Sequence, residues 1–149
     1  MSTRGHISVK LKKEDIGKIM CFEPLLVPEG NKHLFGKKYG VVKLDKPYIT
    51  IYHHFDSYPK GLGKELIENY STYEKALNLC LGGDCSSILD GSVCQYYGSY
   101  DEDWDFVCPK LSDEEPKCDE DYLYLYDGDE WYLKSRRENN LKKLSEIIL

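Results

Sequence analysis

The segment from Tyr48 to Tyr70, which reads YITIYHHFDSYPKGLGKELIENY, concentrates the residue types that could do chemistry. It opens with β-branched and aromatic residues, which predict a strand over Tyr48 to Phe55. From Gly61 to Tyr70 the apolar residues recur at helical spacing. A turn rich in glycine and lysine that opens a helix favours anions, because the first helical amides lack partners and the helix dipole attracts negative charge. The segment therefore predicts an anion-binding centre.

Individual residues of this segment suggest separate roles in binding. Gly61 and Gly63 would let the backbone approach a ligand closely, and Lys60 and Lys64 would supply positive charge. The spacing KGLGKE does not match a P-loop, which needs a longer loop and a hydroxyl after the lysine. Tyrosines would stack against a base. The predicted ligand-binding residues are Tyr52, His53, His54, Asp56, Tyr58, Lys60, Gly61, Gly63, Lys64 and Tyr97.

The two histidines and the aspartate of this segment raise the question of catalysis. In a regular strand His53 and His54 point to opposite faces, so a shared metal ion is disfavoured. His54 and Asp56 would share a face, where the carboxylate could orient the imidazole for acid–base chemistry. In the simpler interpretation one histidine packs in the sheet and Asp56 caps the turn. We predict no catalytic residue, no metal site and no cofactor.

Composition narrows the class of protein. A chain of 149 residues suits a single domain, and no apolar run approaches the length of a membrane span. The first residues, MSTRGHISVKLKKED, lack the apolar core of a signal peptide, which predicts a cytoplasmic protein. The six cysteines have irregular spacing, which favours free thiols over a zinc site.

Charge is divided unevenly along the chain. Residues 1–64 hold 12 basic and 6 acidic residues, a net charge of +6, whereas residues 101–130 hold 2 basic and 13 acidic residues, a net charge of −11. The overall net charge of −6 disfavours a general nucleic-acid binder. The acidic region, about 99–120, contains Pro109 and Pro116 and predicts a loop. This acidic region is either a solvated surface or a surface on which a partner docks.

The remaining patterns predict an α+β fold: one domain over 1–149, with an antiparallel sheet and two or three helices packed on one face. Ser71 and Glu74 match a capping box before a second helix, which Gly82 and Gly83 would end. Aromatic-rich alternation on both sides of Asp127-Gly128 predicts a hairpin. Further strands are predicted over 6–11, 41–44 and 93–97, and a closing helix over 138–149.

Three parts of the chain together resemble a family of small proteins from phages and prophages. HHFDSYPKGLGKELIENY resembles that family's His-x-Asp-Gly-Tyr-Pro-x-Gly-x-Gly motif, although Ser57 stands where the family has glycine. The stretch from Leu81 to Ile88 and the hairpin from Tyr122 to Tyr132 are similar to later parts of the family pattern, in the same order. An arginine that the family carries before the hairpin is missing near Tyr97. The resemblance implies a phage context and therefore the cytoplasm of a bacterial host cell, where small phage proteins often inhibit bacterial defence.

Three functions follow as hypotheses. The first is an anti-defence protein that sequesters an anionic, nucleotide-like signal through the segment 48–70. The second is an acidic inhibitor that docks on a basic host defence protein, a CRISPR protein or similar, through residues 101–130. The third is a small phosphodiesterase using His54 and Asp56. A membrane partner is not expected, and a homo-oligomer stays open.

Overall fold

The computed structural model describes residues 3–22, 40–99, 104–138 and 140–147. Within these ranges the strands are β1 (Gly5–Lys10), β2 (Ile19–Phe22), β3 (Gly40–Lys43), β4 (Tyr48–His53), β5 (Ile88–Leu89), β6 (Ser92–Val93), β7 (Lys110–Ser112), β8 (Tyr122–Tyr126), β9 (Trp131–Ser135) and β10 (Lys142–Lys143). The α-helices are α1 (Lys64–Asn69), α2 (Tyr73–Leu81), α3 (Trp104–Val107) and α4 (Leu144–Ile147). No helix in these ranges is long and apolar enough to cross a bilayer.

One six-stranded sheet organises the molecule, in the order β10-β9-β8-β1-β4-β7. Its neighbours are antiparallel except for β1 and β8, which run parallel. Two small antiparallel ribbons, β2-β3 and β5-β6, lie outside it. The predicted α+β class is confirmed, and the parallel pair explains why the aromatic hairpin β8-β9 lies next to the first strand of the chain.

Helices α1, α2 and α4 pack on one face of the sheet, which we call the helix face. β1 contributes Ile7 and Val9 to this face, and β4 contributes Ile49 and Ile51; all four are fully buried. Helices α1, α2 and α4 add Leu66, Ala76, Leu77, Cys80 and Leu144 to the same core. The alternating residues of the strands point to the other side, which we call the open face. His6, Ser8, Thr50 and Tyr52 lie there in matched register.

The start of α2 differs from the predicted capping box. Thr72, in extended conformation, is the N-cap, and its hydroxyl accepts a hydrogen bond from the backbone N–H of Lys75 at 3.2 Å. Ser71 lies one residue outside the cap, so the pairing with Glu74 is not made. The end of the helix follows the prediction, with Gly83 in the left-handed region at φ +82°.

Two predictions for the last third of the chain are corrected. The hairpin turn has four residues, Asp127 to Glu130, rather than two, because the Asp127 carboxylate accepts from the N–H groups of Asp129 and Glu130 and holds a wider loop. The predicted helix over 138–149 is replaced by β10 and the one-turn α4, since backbone pairing with β9 extends the sheet there. Residues 148 and 149 lie outside the described ranges.

The predicted acidic loop at 99–120 also contains regular structure. Residues 104–107 form α3, and β7 pairs with β4 at the edge of the sheet. The stretch after β7, residues 113–120, is irregular, and residues 100–103 lie outside the described residues. The predicted strand at 93–97 is reduced to the short β6, and Tyr96 forms a single bridge with Cys85.

Candidate ligand-binding cleft

A cleft of about 470 Å³ lies on the open face of the sheet, beside β4. Its floor comes from β1, β4 and β7, and its far wall from residues 113–121, which we call the strap. The lining residues are His6, Thr50, Ile51, Tyr52, Asp84, Lys110, Ser112, Glu114, Glu115, Pro116, Lys117 and Asp119. The cleft therefore combines aromatic rings with more carboxylates than lysines.

The strap is attached to the rest of the protein at several points. Nζ of Lys134, which is mostly buried, forms an ion pair with Glu115 at 2.8 Å. The guanidinium of Arg136 donates to the backbone carbonyl of Asp119 at 3.1 Å, and Sγ of Cys118 lies 3.6 Å from the carbonyl oxygen of Lys134. At its end, Asp121 accepts from the backbone N–H of Arg4. These contacts hold the strap over the sheet and keep the cleft open beneath it.

A row of aromatic rings runs along the cleft and out of it. The centroids of His6 and Tyr52 are 5.8 Å apart, as are those of Tyr52 and His54, and His54 lies 4.4 Å from Phe55. A hydrogen bond of 2.7 Å joins the Tyr52 hydroxyl and Nδ1 of His54. Burial lowers the pKa of His6, so this ring is neutral at pH 7. The row offers aromatic rings to a planar ligand.

Asp84 is the most constrained carboxylate of the cleft. Oδ1 accepts from the backbone N–H of Tyr52 at 2.9 Å, while the Asp84 backbone bonds Val107 and Tyr97. Asp84 lies beyond the end of β7. There Cys85, rather than β7, pairs with β4, through a single bridge to His53. Burial raises the pKa of Asp84 to about 6, against the opposing effects of the Tyr52 N–H and Lys110. At neutral pH it is a carboxylate with unusually poor solvation.

His53 lies on the helix face and is 1% exposed. Nδ1 lies 2.8 Å from the Ser57 hydroxyl, which also donates to the carbonyl of His53, and the Tyr124 hydroxyl donates to the carbonyl of Ser57. Burial, with a smaller effect of His54, lowers the pKa of His53 to about 4. This histidine is separated from the cleft by the sheet, and it ties the turn after β4 to β8.

The turn from Tyr58 to Lys64 is a π-helical turn, Pro59–Gly63, that leads into α1. Its amides are mostly engaged: Gly61 donates to Tyr58, Leu62 to Asp56, and Lys64 to Pro59. A Cβ at Gly61 would lie 2.6 Å from the Asp56 carbonyl oxygen, so this glycine serves close packing of the turn on itself. Ligand binding by these amides would require them to leave their present partners.

The side chains around the turn face solvent or each other. Lys60 is exposed, and Lys64 lies 4.0 Å from Glu68 in an exposed ion pair. Tyr58 is 42% exposed. Asp56 adopts φ 57°, and the capping contact comes from its backbone carbonyl. Its side chain makes no hydrogen bond with His54 among the described residues, so the acid–base pair considered above is not assembled.

The structure thus divides the predicted site residues into two groups. Tyr52 and His54 lie on the open face, and Tyr97 is near enough to contribute to the raised pKa of Tyr52, for which burial is the largest cause. The other seven lie in the turn or on the helix face. Sequence reasoning missed the cleft residues His6, Asp84 and Lys110. The signal for His6 was the alternation of β1, which places it opposite Tyr52.

No three histidine, cysteine, aspartate or glutamate side chains in the described part of the chain are grouped so that they could hold a metal ion. All six cysteines are free thiols, and Cys80 and Cys85 are buried. Comparison with known protein families, with curated proteins and with solved structures gives no match.

Proposed function

We propose that this protein binds and sequesters a small nucleotide-like ligand, with the base of the ligand in the cleft beside β4. The observation that carries the proposal is the pairing of two aromatic rings, His6 and Tyr52, with the carboxylate of Asp84 in one cavity. Aromatic faces stack on bases of any identity, whereas a carboxylate bonds the N–H groups at a base edge. A cleft of about 470 Å³ accommodates a nucleoside with one phosphate.

The charges of the cleft limit the phosphate content of this ligand. Four carboxylates, from Asp84, Glu114, Glu115 and Asp119, line it against the two lysines Lys110 and Lys117. Lys110 also donates to the backbone carbonyl of Phe106 at 3.3 Å, which occupies part of its hydrogen-bonding capacity. Repulsion between carboxylates and phosphates grows with each added charge. A monophosphate is therefore favoured over a triphosphate, and the role of Lys60 and Lys64 as phosphate ligands stays a prediction.

Sequestration rather than turnover fits the arrangement of the histidines. His54 bonds to Tyr52 and not to Asp56, and His53 is buried behind the sheet. The resemblance to phage and prophage proteins supplies a context in which capture of a nucleotide signal would silence a bacterial defence system.

Titration calorimetry with nucleoside monophosphates, ADP-ribose, ATP and a cyclic dinucleotide tests the proposal. We expect heat with at least one monophosphate, weaker heat with ATP, and recovery of the ligand intact by chromatography after the protein is denatured. Absence of heat with every nucleotide would reject the proposal, and recovery of a hydrolysed ligand would favour a phosphodiesterase.

A second candidate function, docking on a basic partner protein, is favoured by the strap. Asp113, Glu114 and Asp119 are exposed there. None of these three forms an ion pair with another described residue, whereas their neighbour Glu115 is paired with Lys134. Changing Asp113→Asn, Glu114→Gln and Asp119→Asn together would abolish inhibition of a purified CRISPR nuclease if the strap is the docking surface. Unchanged inhibition by this triple variant would reject that function.

A further inference from the structure

The carboxylate of Asp84 is held in place from both its backbone and its side chain. The backbone N–H donates to Val107 at 2.8 Å, the backbone carbonyl accepts from Tyr97 at 3.0 Å, and Oδ1 accepts from Tyr52 at 2.9 Å. No described residue donates a hydrogen bond to Oδ2. A fixed carboxylate in a cavity, with one oxygen unoccupied, is a pre-positioned acceptor for a ligand.

The surroundings of Asp84 favour a ligand that donates hydrogen bonds over one that accepts them. Tyr52 and His6 line the same cavity from β4 and β1, Lys110 lines it from β7, and Glu114 and Asp119 of the strap complete it. An ionised carboxylate can only accept, so a base with a carbonyl or a ring nitrogen lone pair at that edge would be repelled. A base with a ring N–H beside an amino group would instead make two parallel hydrogen bonds, one to Oδ2 and one to the second lone pair of Oδ1.

From this placement we infer that Asp84 sets the base specificity of the cleft, and that it selects a guanine-type edge, with a ring N–H beside an exocyclic amino group. The inference rests on the proposed nucleotide-binding function. Adenine presents one amino group beside a ring acceptor, and hypoxanthine presents the ring N–H without the amino group. Guanine therefore offers Asp84 two adjacent donors, whereas hypoxanthine offers one and adenine offers one beside an acceptor.

A comparison of the affinities for three nucleotides tests the inference. We measure the affinities of the wild-type protein for guanosine, inosine and adenosine 5′-monophosphates by calorimetry at pH 7.5, where Asp84 is ionised. The expected order is guanosine first, with inosine roughly tenfold weaker for the missing amino group and adenosine weaker still. Asp84→Asn keeps a carbonyl for the Tyr52 N–H but adds donors, and we expect it to abolish the preference for guanosine over inosine. Asp113→Asn, a matched change on the exposed strap outside the cleft, should keep that preference.

The outcomes separate this inference from the proposed function. Equal affinities for all three monophosphates would overturn the role of Asp84 and leave the proposed function standing, as would an unchanged guanosine-to-inosine ratio in Asp84→Asn. Failure of every nucleotide to bind the wild type would overturn both. A thermal melt of each variant shows that a lost preference does not come from unfolding.

Discussion

Nδ1 of His53 lies 2.8 Å from Oγ of Ser57, in the buried layer between the sheet and the turn after β4. The Ser57 hydroxyl also donates to the His53 carbonyl at 3.1 Å, an arrangement in which Nδ1 carries the proton that bonds to Oγ. Nε2 is then an unprotonated nitrogen without a hydrogen-bond partner among the described residues. The ring is built to stay neutral.

This geometry predicts that stability falls as the pH is lowered from 6.5 to 4. The pKa of His53 is about 4 in the fold and 6.5 when the chain is unfolded, so in this window the unfolded state binds more protons than the folded state. The contribution of His53 to the free energy of unfolding therefore rises with pH, by about 3 kcal/mol over the whole window. Urea unfolding at a series of pH values checks this. His53→Gln should flatten the slope, and His54→Gln should keep most of it; equal slopes in wild type and His53→Gln would contradict the account.

Asp84 predicts the opposite sign of pH dependence. Its pKa is about 6 in the fold against 3.8 in the unfolded chain, so the folded state binds more protons between these values and this residue's contribution to stability falls as pH rises. Asp84→Asn keeps the bond to Tyr52 and removes the buried charge. We expect the variant to be more stable at pH 7.5 by about 1 kcal/mol, after a discount for partial solvation, and equally stable near pH 4. Loss of stability at pH 7.5 would show that the charge is compensated in the fold.

The N-cap of α2 gives a direct comparison of two neighbouring hydroxyls. Thr72 makes the capping hydrogen bond and Ser71 does not. Thr72→Ala should lower the free energy of unfolding by about 1 kcal/mol, whereas Ser71→Ala should change it by less than about 0.5 kcal/mol. Thermal or urea unfolding of both variants checks this. A larger loss of stability in Ser71→Ala than in Thr72→Ala would contradict this assignment and support the predicted capping box.

Two glycines with positive φ separate backbone strain from steric overlap. Gly83 (φ +82°) and Gly128 (φ +112°) both lie in the region that disfavours a side chain. A Cβ at Gly83 would overlap the carbonyl oxygen of Val107, whereas one at Gly128 would meet nothing within 4 Å. We expect Gly128→Ala to cost about 1 kcal/mol and Gly83→Ala at least about 2 kcal/mol more. Equal losses in unfolding experiments would mean that the chain around Val107 moves aside.

Local patterns predicted the fold class because their signals are short in range. The alternation of Tyr48 to Phe55 and the aromatic residues on both sides of Asp127-Gly128 led to β4 and to the β8-β9 hairpin. The parallel pairing of β1 with β8 joins residues more than a hundred positions apart, and no local pattern encodes it. The closing helix was wrong for a different reason: pairing of Lys142 and Lys143 with β9 overrides helical spacing.

The candidate site was harder to predict than the fold. Tyr52 and His54 come from the segment that the sequence singles out, but Asp84 and the strap reach them only through tertiary structure. Gly61 was interpreted as a position where the backbone could approach a ligand. The space beside its Cα is instead occupied by the Asp56 carbonyl oxygen of the same turn. Types and spacing of residues showed where chemistry could occur; the face of the sheet on which each side chain lies depended on strand pairing.

The central claim, that a nucleotide binds in the cleft and not at the turn, is tested most directly by comparing Tyr52→Ala with the double variant Lys60→Ala, Lys64→Ala. Tyr132→Ala is the matched control, since Tyr132 is also half-buried on the open face but lies outside the cleft. Affinities for guanosine 5′-monophosphate are measured by calorimetry, with thermal melts to verify folding. We predict a loss of at least about tenfold for Tyr52→Ala, from the lost stacking, and changes within about twofold for the other two. Full affinity in Tyr52→Ala together with lost binding in the double lysine variant would contradict the account and place the ligand at the turn.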